Sequence, residues 1–222
     1  LAETIRERFT VTGPIVVAPD GVDRSRFDAA AWRGGRTIVY VGQLYPWKGV
    51  DTLIRAVALL PAERARVVGG GEGAARLRAL AEQEGCAERV HFTGQLPAAC
   101  VPHVLADAGV AVVPGTRTAI ASRFTSPLKL FEYMAAGVPI VAADVPAMRE
   151  VLADGDSALL VAPEDPRALA TAIRRVLDDP ALARRLREGA LAAVTGYGWD
   201  VRARRLLAAI EAAAGRYARS SA

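Results

Sequence analysis

The sequence is poor in cysteine, histidine and lysine, and it contains no long run of apolar residues. Its two cysteines, Cys86 and Cys100, form neither a CxxC pair nor a metal-ligand spacing, which favours free thiols in a reducing, cytoplasmic setting over a disulfide-stapled fold. No apolar run approaches the ~20 residues that cross a bilayer, so a transmembrane helix is not expected. The two histidines, His91 and His103, have no partners at metal spacing, and no metal site is predicted.

The scarcity of lysine is the most informative of these, because only Lys48 and Lys129 are lysines among 28 Lys and Arg residues. In a sequence so rich in Ala and Arg, neutral lysine positions drift to arginine, and the two that persist are candidates for places that require a compact ammonium group. Chance survival is the alternative. The net charge of +4 and the pI near 9.4 suit an anionic small ligand or a membrane surface and do not demand nucleic acid.

No signal-peptide pattern opens the chain, whose first ten residues include four charged side chains. The absence of an initiator methionine indicates a piece of a longer protein. We expect residues 1–20 to be a connector and first strand from a missing N-terminal domain. Residues 21–198 are expected to form the main domain, and residues 199–222 a C-terminal helix and tail.

Short β-branched runs alternate with longer Ala-, Leu- and Arg-rich stretches, and a hydrophobic fraction of 52% provides a substantial core. The alternation predicts an α/β fold, a Rossmann-like parallel sheet with helices on both faces. The predicted strands are Ile15 to Ala18, Thr37 to Val41, Arg66 to Val68, Val90 to Thr93, Val110 to Val113, Val138 to Ala142 and Ala158 to Val161. The predicted helices are Asp51 to Leu60, a helix that follows Gly73 and runs to about Glu84, Pro97 to Ala106, Pro127 to Ala136, Pro146 to Ala153, Pro166 to Leu177, Ala181 to Val194 and Trp199 to about Ala214.

The loop after the strand at Thr37 to Val41 has the features of a phosphate clamp. Gly42 lets a ligand approach the backbone closely. Lys48 and Gly49 lie near the start of the next helix, where free N–H groups and the helix dipole favour an anion. A solvent-exposed lysine before a helix is the alternative.

A second strand-to-helix loop, Val68 to Gly73, contains four glycines and resembles the GxGxxG fingerprint only loosely. A glycine turn without a ligand and a contact to a phosphate or sugar are equally compatible with it. The first strand–turn–helix unit lacks GxGxxG, which argues against a nicotinamide-dependent dehydrogenase.

The stretch from Ser126 to Glu132 opens a predicted helix with a second end suited to phosphate. Ser126 is a natural N-cap and Pro127 a natural first helical residue, which leaves the amides near Leu128 and Lys129 free for a phosphate. Glu132 shares a helix face with both, and its carboxylate suits the two hydroxyls of a ribose. A Lys129–Glu132 surface pair, worth a few tenths of a kcal/mol, is the alternative.

Ordered motifs run through almost the whole chain. They are Ala18 to Asp23 with Phe27, Val41-Gly42, Lys48 to Asp51, Val68 to Gly71, Val90 to Gly94, Ala106-Asp107, and Phe131 to Pro139, followed by Glu150, Gly155 and Trp199. Together they resemble the C-terminal, donor-binding domain of retaining glycosyltransferases of the GT-B architecture, in family four (group 1).

The resemblance implies a role for each candidate residue. Lys48 would neutralise the donor diphosphate, and Glu132 would bind the ribose hydroxyls. Gly42 and Gln43 would lie beside the phosphates and Gly70 near the nucleotide. The stretch of Ser126, Pro127, Leu128 and Lys129 would hold the distal phosphate through its backbone N–H groups, of which Pro127 has none. Phe92, Gly94 and Leu96 would face the base.

The same resemblance implies the substrate and partners. The donor would be a nucleotide-diphosphate sugar, with UDP- or GDP-sugars expected, and no further cofactor. The acceptor and any catalytic base would come from an N-terminal domain of the same protein, because no nucleophile is identifiable in this chain. The chain alone is therefore expected to bind nucleotide and hardly turn over. Nucleic acid is not an expected partner, and association of the full-length protein with the inner membrane face stays open.

Two positions depart from the family pattern. The family often has Arg where this chain has Gln43, and the exchange removes one charge from the phosphate site. It often has Glu at the position of Phe124, where in relatives that carboxylate contacts the donor sugar. These departures support a rival hypothesis, a catalytically degenerate module that binds a nucleotide-sugar or a partner without transfer.

Overall fold

Six strands form one parallel sheet in the computed structural model. The model describes residues 2–11, 13–123, 126 and 128–220, with the side chains of all of these except residues 3, 4, 123 and 216–220. The strands are β1 Thr37–Val41, β2 Arg64–Val68, β3 Val90–Gly94, β4 Ala108–Val113, β5 Ile140–Ala143 and β6 Leu159–Val161. Their order in the sheet is β3-β2-β1-β4-β5-β6. This is the doubly wound order of a Rossmann fold, with a topological switch between β1 and β4.

Helices connect and cover these strands. Within the described residues they are α1 Ala2–Arg8, α2 Val50–Ala58, α3 Ala74–Gln83, α4 Val101–Ala106, α5 Ala119–Arg123, α6 Leu128–Ala136, α7 Pro146–Arg149, α8 Pro166–Asp178, α9 Pro180–Ala193 and α10 Trp199–Ser220. None of the helices in this described part of the chain is both long and apolar enough to cross a membrane. The predicted α/β, Rossmann-like class is confirmed.

The alternation of side chains along β1 creates a separate core on each face of the sheet. Ile38 and Tyr40 are fully buried against residues of α2, α3 and α8, whereas Val39 and Val41 face the core that α4 and α6 complete. A strand buried on both faces must be apolar throughout, which explains its run of β-branched residues. Because each fully buried aliphatic side chain contributes about 1.5–3 kcal/mol, these two cores fix the sheet that carries the site.

Two helix starts show why the predicted boundaries hold locally. Asp165 precedes Pro166, and its Oδ1 accepts hydrogen bonds from the amides of Arg167 at 3.0 Å and Ala168 at 2.9 Å. Asp179 caps α9 in the same way. An N-cap carboxylate followed by proline at the first helical position is a signal that the sequence alone provides.

The strand predicted at Ile15 to Ala18 is wrong, because residues 14–20 have no regular secondary structure. Backbone groups here bind the C-terminal part of the chain instead of a strand. Arg202 Nη1 donates to the carbonyl of Ala18 at 2.8 Å, and Val22 N donates to the carbonyl of Tyr197 at 2.9 Å.

Other predicted boundaries also move. The helix predicted at Pro146 to Ala153 is the single turn α7, and the Ser157 hydroxyl accepts a hydrogen bond from the amide of Ala153 at 2.9 Å. Helix α10 continues to Ser220, past the predicted end. Helices α1 and α5 were not predicted, since neither has an apolar periodicity long enough to identify it.

Candidate functional site

The candidate site lies at the carboxyl ends of β1 and β4, where the strand order reverses. The loop after β1 contains the one-turn 3-10 helix Pro46–Lys48 and ends at Gly49, directly before α2. Gly49 has φ of +71°, and a Cβ there would lie 2.6 Å from the carbonyl oxygen of Pro114. The loops after β1 and β4 therefore pack against each other, and only glycine fits between them.

Lys48 and Lys129 line the same cavity, although they are 81 positions apart in the sequence. Trp47, Pro114 and Gly115 also line this cavity. Lys48 comes from the turn before α2, and Lys129 from the first turn of α6. Two lysines that the sequence leaves far apart are thus brought to one place at the switch point.

The electrostatics of the pair are those of two ammonium groups close enough to act on each other. Burial lowers the pKa of Lys48. Burial lowers the pKa of Lys129 well below its ordinary value, and the nearby Lys48 lowers it further, while Glu132 opposes the shift. Like charges confined in a low-dielectric site raise each other's energy, and a bound dianion relieves that repulsion.

The Lys129 ammonium lies on the ring of Tyr40, with Nζ 3.7 Å from the ring centroid. It also lies against Gly42, because a Cβ at that position would come within 2.5 Å of Nζ. Gly42 has φ of +145°, so a side chain is disfavoured there twice over. This packing places Lys129 over the end of β1 and argues against the alternative of a Lys129–Glu132 surface pair.

Glu132 lies half-buried on the next turn of α6. Burial raises the pKa of its carboxyl group, and the charges of Arg26 and Lys129 offset only part of that rise. Arg26 is held in place by a hydrogen bond from its Nη2 to the carbonyl of Ala98, 2.9 Å long. A carboxylate flanked by two cations stays a hydrogen-bond acceptor for neighbouring hydroxyls.

Helix α6 is fixed to the sheet through Tyr133. The hydroxyl of Tyr133 accepts a hydrogen bond of 2.7 Å from the amide of Val41, the last residue of β1. The side chain is fully buried, so this bond is protected from water. Lys129 and Glu132 are therefore carried by a helix whose position relative to β1 is set by a hydrogen bond at the site itself.

The glycines after β2 make room for the loop after β1. A Cβ at Gly69 would lie 1.9 Å from the carbonyl oxygen of Gly42, and one at Gly73 would lie 2.2 Å from that of Leu44. Leu44 N donates to the carbonyl of Gly70 at 2.9 Å. Of the two interpretations of this loop, close backbone packing accounts for Gly69 and Gly73. Gly70 retains open space, with Gln95 Cβ 4.0 Å from its would-be Cβ.

The residues expected near a base lie at and just after the end of β3. Gly94 has φ of +72° and no atom within 4 Å of a would-be Cβ, so the backbone there is accessible. Phe92 packs partly into one core and carries the guanidinium of Arg78 over its ring, 4.8 Å from the centroid. Leu96 packs against the other core. Gly94 thus has open space on its side-chain side, while its carbonyl already accepts a hydrogen bond from the amide of Gly69 at 2.9 Å.

The remaining predicted site residues are either exposed or lie outside the described residues. Ser126 and Leu128 are exposed, and Leu128 is the first residue of α6. Pro127 and Phe124 lie outside the described residues, so the predicted N-cap and the Phe124 departure are not described. Gln43 is exposed, on the loop after β1.

Sequence reasoning missed three residues of the site, namely Tyr40, Tyr133 and Arg26. Tyr40 carried a signal, since it is a single residue with a polar head in an otherwise aliphatic buried strand. Arg26 follows the motif ending at Asp23, but nothing in the sequence indicates that it faces Glu132.

A larger cleft of about 480 Å³ lies between α2, Glu84 at the end of α3, Arg117 in the loop after β4, and the segment from the end of β6 to the start of α8. Two of its arginines are already paired, Arg55 with Glu84 at 3.3 Å and Arg117 with Glu164 at 3.5 Å. Its charges are largely neutralised by their own neighbours, so the smaller cavity between the lysines is the better candidate for an anion.

Known proteins resemble this chain in sequence and in fold. A family model described as glycosyl transferases group 1 matches residues 22–192. The chain is 33% identical over 200 residues to D-inositol 3-phosphate glycosyltransferase of Thermomonospora curvata, covering 84% of this chain and 45% of the relative. The chain thus spans about half the length of that curated relative.

Solved structures share the fold. Sucrose-phosphate synthase from Thermosynechococcus elongatus has a TM-score of 0.83 at 27% identity, covering 97% of this chain and 57% of that one. Anabaena HepE in complex with UDP and glucose has a TM-score of 0.73 at 22% identity, covering 87% and 55%. In both cases the match extends over only part of the larger chain.

Proposed function

This chain belongs to the glycosyl transferases of group 1, and on that premise we propose that it is the donor-binding half of a retaining glycosyltransferase. The donor is a nucleotide-diphosphate sugar, and the acceptor binds to a further domain of the whole protein. The half-length match to curated relatives supports this division. The UDP complex of HepE, which has the same fold, supports the class of donor.

The observation that carries the proposal is the meeting of Lys48 and Lys129 in one cavity at the switch point. In this role the two ammonium groups contact the diphosphate, and the starts of α2 and α6 add the positive ends of two helix dipoles. Gln43 supplies no charge, so the lysines carry the neutralisation that a neighbouring arginine shares in many family members.

The nucleoside then extends from the diphosphate toward β3. Glu132 accepts hydrogen bonds from the ribose hydroxyls, and the backbone at Gly94 faces the base. Gly70 borders the nucleotide where the glycine loop leaves space. This orientation places the sugar at the outer end of the diphosphate, near the start of α6.

The chemical contribution of this half is electrostatic. When the sugar is transferred, negative charge grows on the departing diphosphate, and the two ammonium groups with the helix-end amides stabilise it. Such preorganised stabilisation is usually the largest single contribution to reactions of this kind. Since the acceptor binds to another domain, the chain alone holds the donor and hardly turns it over.

Calorimetric titration of the chain with UDP, GDP and ADP tests the proposal. One nucleoside diphosphate is expected to bind at a single site, more tightly than its nucleoside, because the diphosphate meets both lysines. The full-length protein is expected to transfer sugar from the matching donor with retention at the anomeric carbon. A chain that binds none of the three diphosphates contradicts the proposal, and a full-length protein that binds without transfer leaves the binding-module hypothesis.

Glu132→Ala is expected to weaken UDP binding by about 1–3 kcal/mol, the scale of a lost hydrogen bond to a charged group. Binding of 2′,3′-dideoxy-UDP should change little, because that ligand has no ribose hydroxyls for Glu132 to accept from. Calorimetry with both ligands on the wild type and the variant provides the measurement. Equal losses for the two ligands would mean that Glu132 does not contact the ribose.

A further inference from the structure

Tyr40 contacts two parts of the candidate diphosphate site, the Lys129 side chain and the loop after β1. Its ring lies under the Lys129 ammonium, 3.7 Å from Nζ to the centroid. Its hydroxyl donates a hydrogen bond of 2.8 Å to the carbonyl of Gln43, in the loop after β1. The side chain is fully buried, and burial raises the pKa of its hydroxyl, which stays protonated and able to donate.

We propose that Tyr40 is a positioning residue for the diphosphate, because one side chain sets the Lys129 ammonium and the Gly42–Gln43 backbone relative to each other. The inference deepens the proposed function and rests on it. Lys129 comes from one face of the sheet and Tyr40 points to the other, so their contact spans the sheet edge at which the ligand binds.

The physical basis is the cost of holding an ammonium group away from water. The negative face of an aromatic ring offsets part of that cost, and the attraction is strongest when the cation is desolvated. The absence of a side chain at Gly42 gives the ammonium its space beside the loop, since a Cβ there would lie 2.5 Å from Nζ. The ring therefore defines where the charge stands, and an aliphatic side chain of similar size does not.

A pair of substitutions separates the two contacts. Tyr40→Phe keeps the ring and removes the hydrogen bond to Gln43, and we expect it to weaken UDP binding about threefold. Tyr40→Leu removes both contacts, and we expect a loss of about tenfold or more. When Lys129 is already replaced by Met, Tyr40→Leu should weaken UDP binding by no more than about threefold, the loss expected for Tyr40→Phe in the wild type. The ring then has no ammonium to hold.

The matched control is Ile38→Ala, which opens the same buried face of β1 two residues earlier without touching either lysine. It should lower the melting temperature and leave UDP affinity unchanged. Circular dichroism and thermal melts identify any variant that fails to fold. If Tyr40→Leu does not fold, the UDP affinity of Tyr40→Phe tests the inference.

The outcomes distinguish the inference from the function on which it rests. Retained affinity in Tyr40→Phe and Tyr40→Leu, with a wild type that binds UDP, overturns the positioning role alone. An equal loss for Tyr40→Leu with and without Lys129 also overturns it, because the ring would then act independently of the ammonium. A wild type without affinity for any nucleoside diphosphate overturns the proposed function.

Discussion

Lys48→Ala is expected to weaken UDP binding by about 1–3 kcal/mol, the cost of losing a charge-assisted hydrogen bond to the diphosphate. Uridine binding should stay the same, because the nucleoside does not reach the lysine pair. Calorimetry with both ligands, before and after the substitution, measures the difference. A parallel loss of uridine affinity would indicate that Lys48→Ala distorts the loop and does not act through charge.

The same substitution has an effect on pH dependence with a definite sign. Burial and the charge of Lys48 both hold the pKa of Lys129 low. In the free wild-type chain Lys129 loses its proton as pH rises through that lowered pKa, whereas bound diphosphate favours the charged form. UDP affinity is therefore full below the free-state pKa and falls as pH rises through it.

Removing Lys48 takes away a repelling charge, so the pKa of Lys129 rises. The fall in affinity should move to higher pH in Lys48→Ala, even though the affinity itself is lower. Lys129→Met provides the control, because the part of the fall that Lys129 causes should disappear. Only the titration of Lys48, whose pKa is also lowered by burial, then remains. A decline at unchanged pH in Lys48→Ala would show that the two ammonium groups do not interact.

The fold was predictable from the sequence because its determinants are local. The alternation of apolar strands with amphipathic helices, and the Asp-Pro pairs before α8 and α9, each act over a few residues. Ile15 to Ala18 shows the limit of such reasoning. Its β-branched run favours a strand, but whether a strand forms depends on a partner edge, and here the carbonyl of Ala18 binds the side chain of Arg202 instead.

The sequence was enough to identify the charged residues of the candidate site, but not to predict how close together they lie. The scarcity of lysine singled out Lys48 and Lys129, and their positions before predicted helices indicated anion binding. Their mutual distance depends on the order of the strands, which no local signal encodes. The aromatic support from Tyr40 was also beyond local reasoning, because periodicity places that side chain in a core without showing that a lysine of α6 reaches across to it.

The glycine loop after β2 illustrates the same limit. Its sequence is equally compatible with a ligand contact and with a turn, since glycine serves both purposes. The structure shows a different environment for each of these glycines. A Cβ at Gly69 or Gly73 would clash with the loop after β1, whereas one at Gly70 would not. Of these three glycines, Gly70 therefore has the space to border a nucleotide, although its carbonyl accepts a hydrogen bond from Leu44 N.

Gly69→Ala is expected to destabilise the chain by about 3–5 kcal/mol, among the largest effects of any single substitution here. Its φ of +139° disfavours a side chain, and the new Cβ would lie 1.9 Å from the carbonyl oxygen of Gly42, so backbone has to move. Urea denaturation followed by circular dichroism measures the change in the free energy of unfolding. The displaced backbone is the one that borders Lys129, so UDP affinity should fall as well.

Gly85→Ala is the matched control for backbone conformation. Gly85 also has a positive φ, +66°, but no atom lies within 4 Å of a would-be Cβ. Gly85→Ala should lower the free energy of unfolding by only about 1–2 kcal/mol, the penalty of the left-handed conformation without a clash. Equal destabilisation of the two variants would mean that the contact between Gly69 and Gly42 adds nothing. Gly70→Ala completes the series, because it should leave stability nearly unchanged and lower UDP affinity if the nucleotide borders that residue.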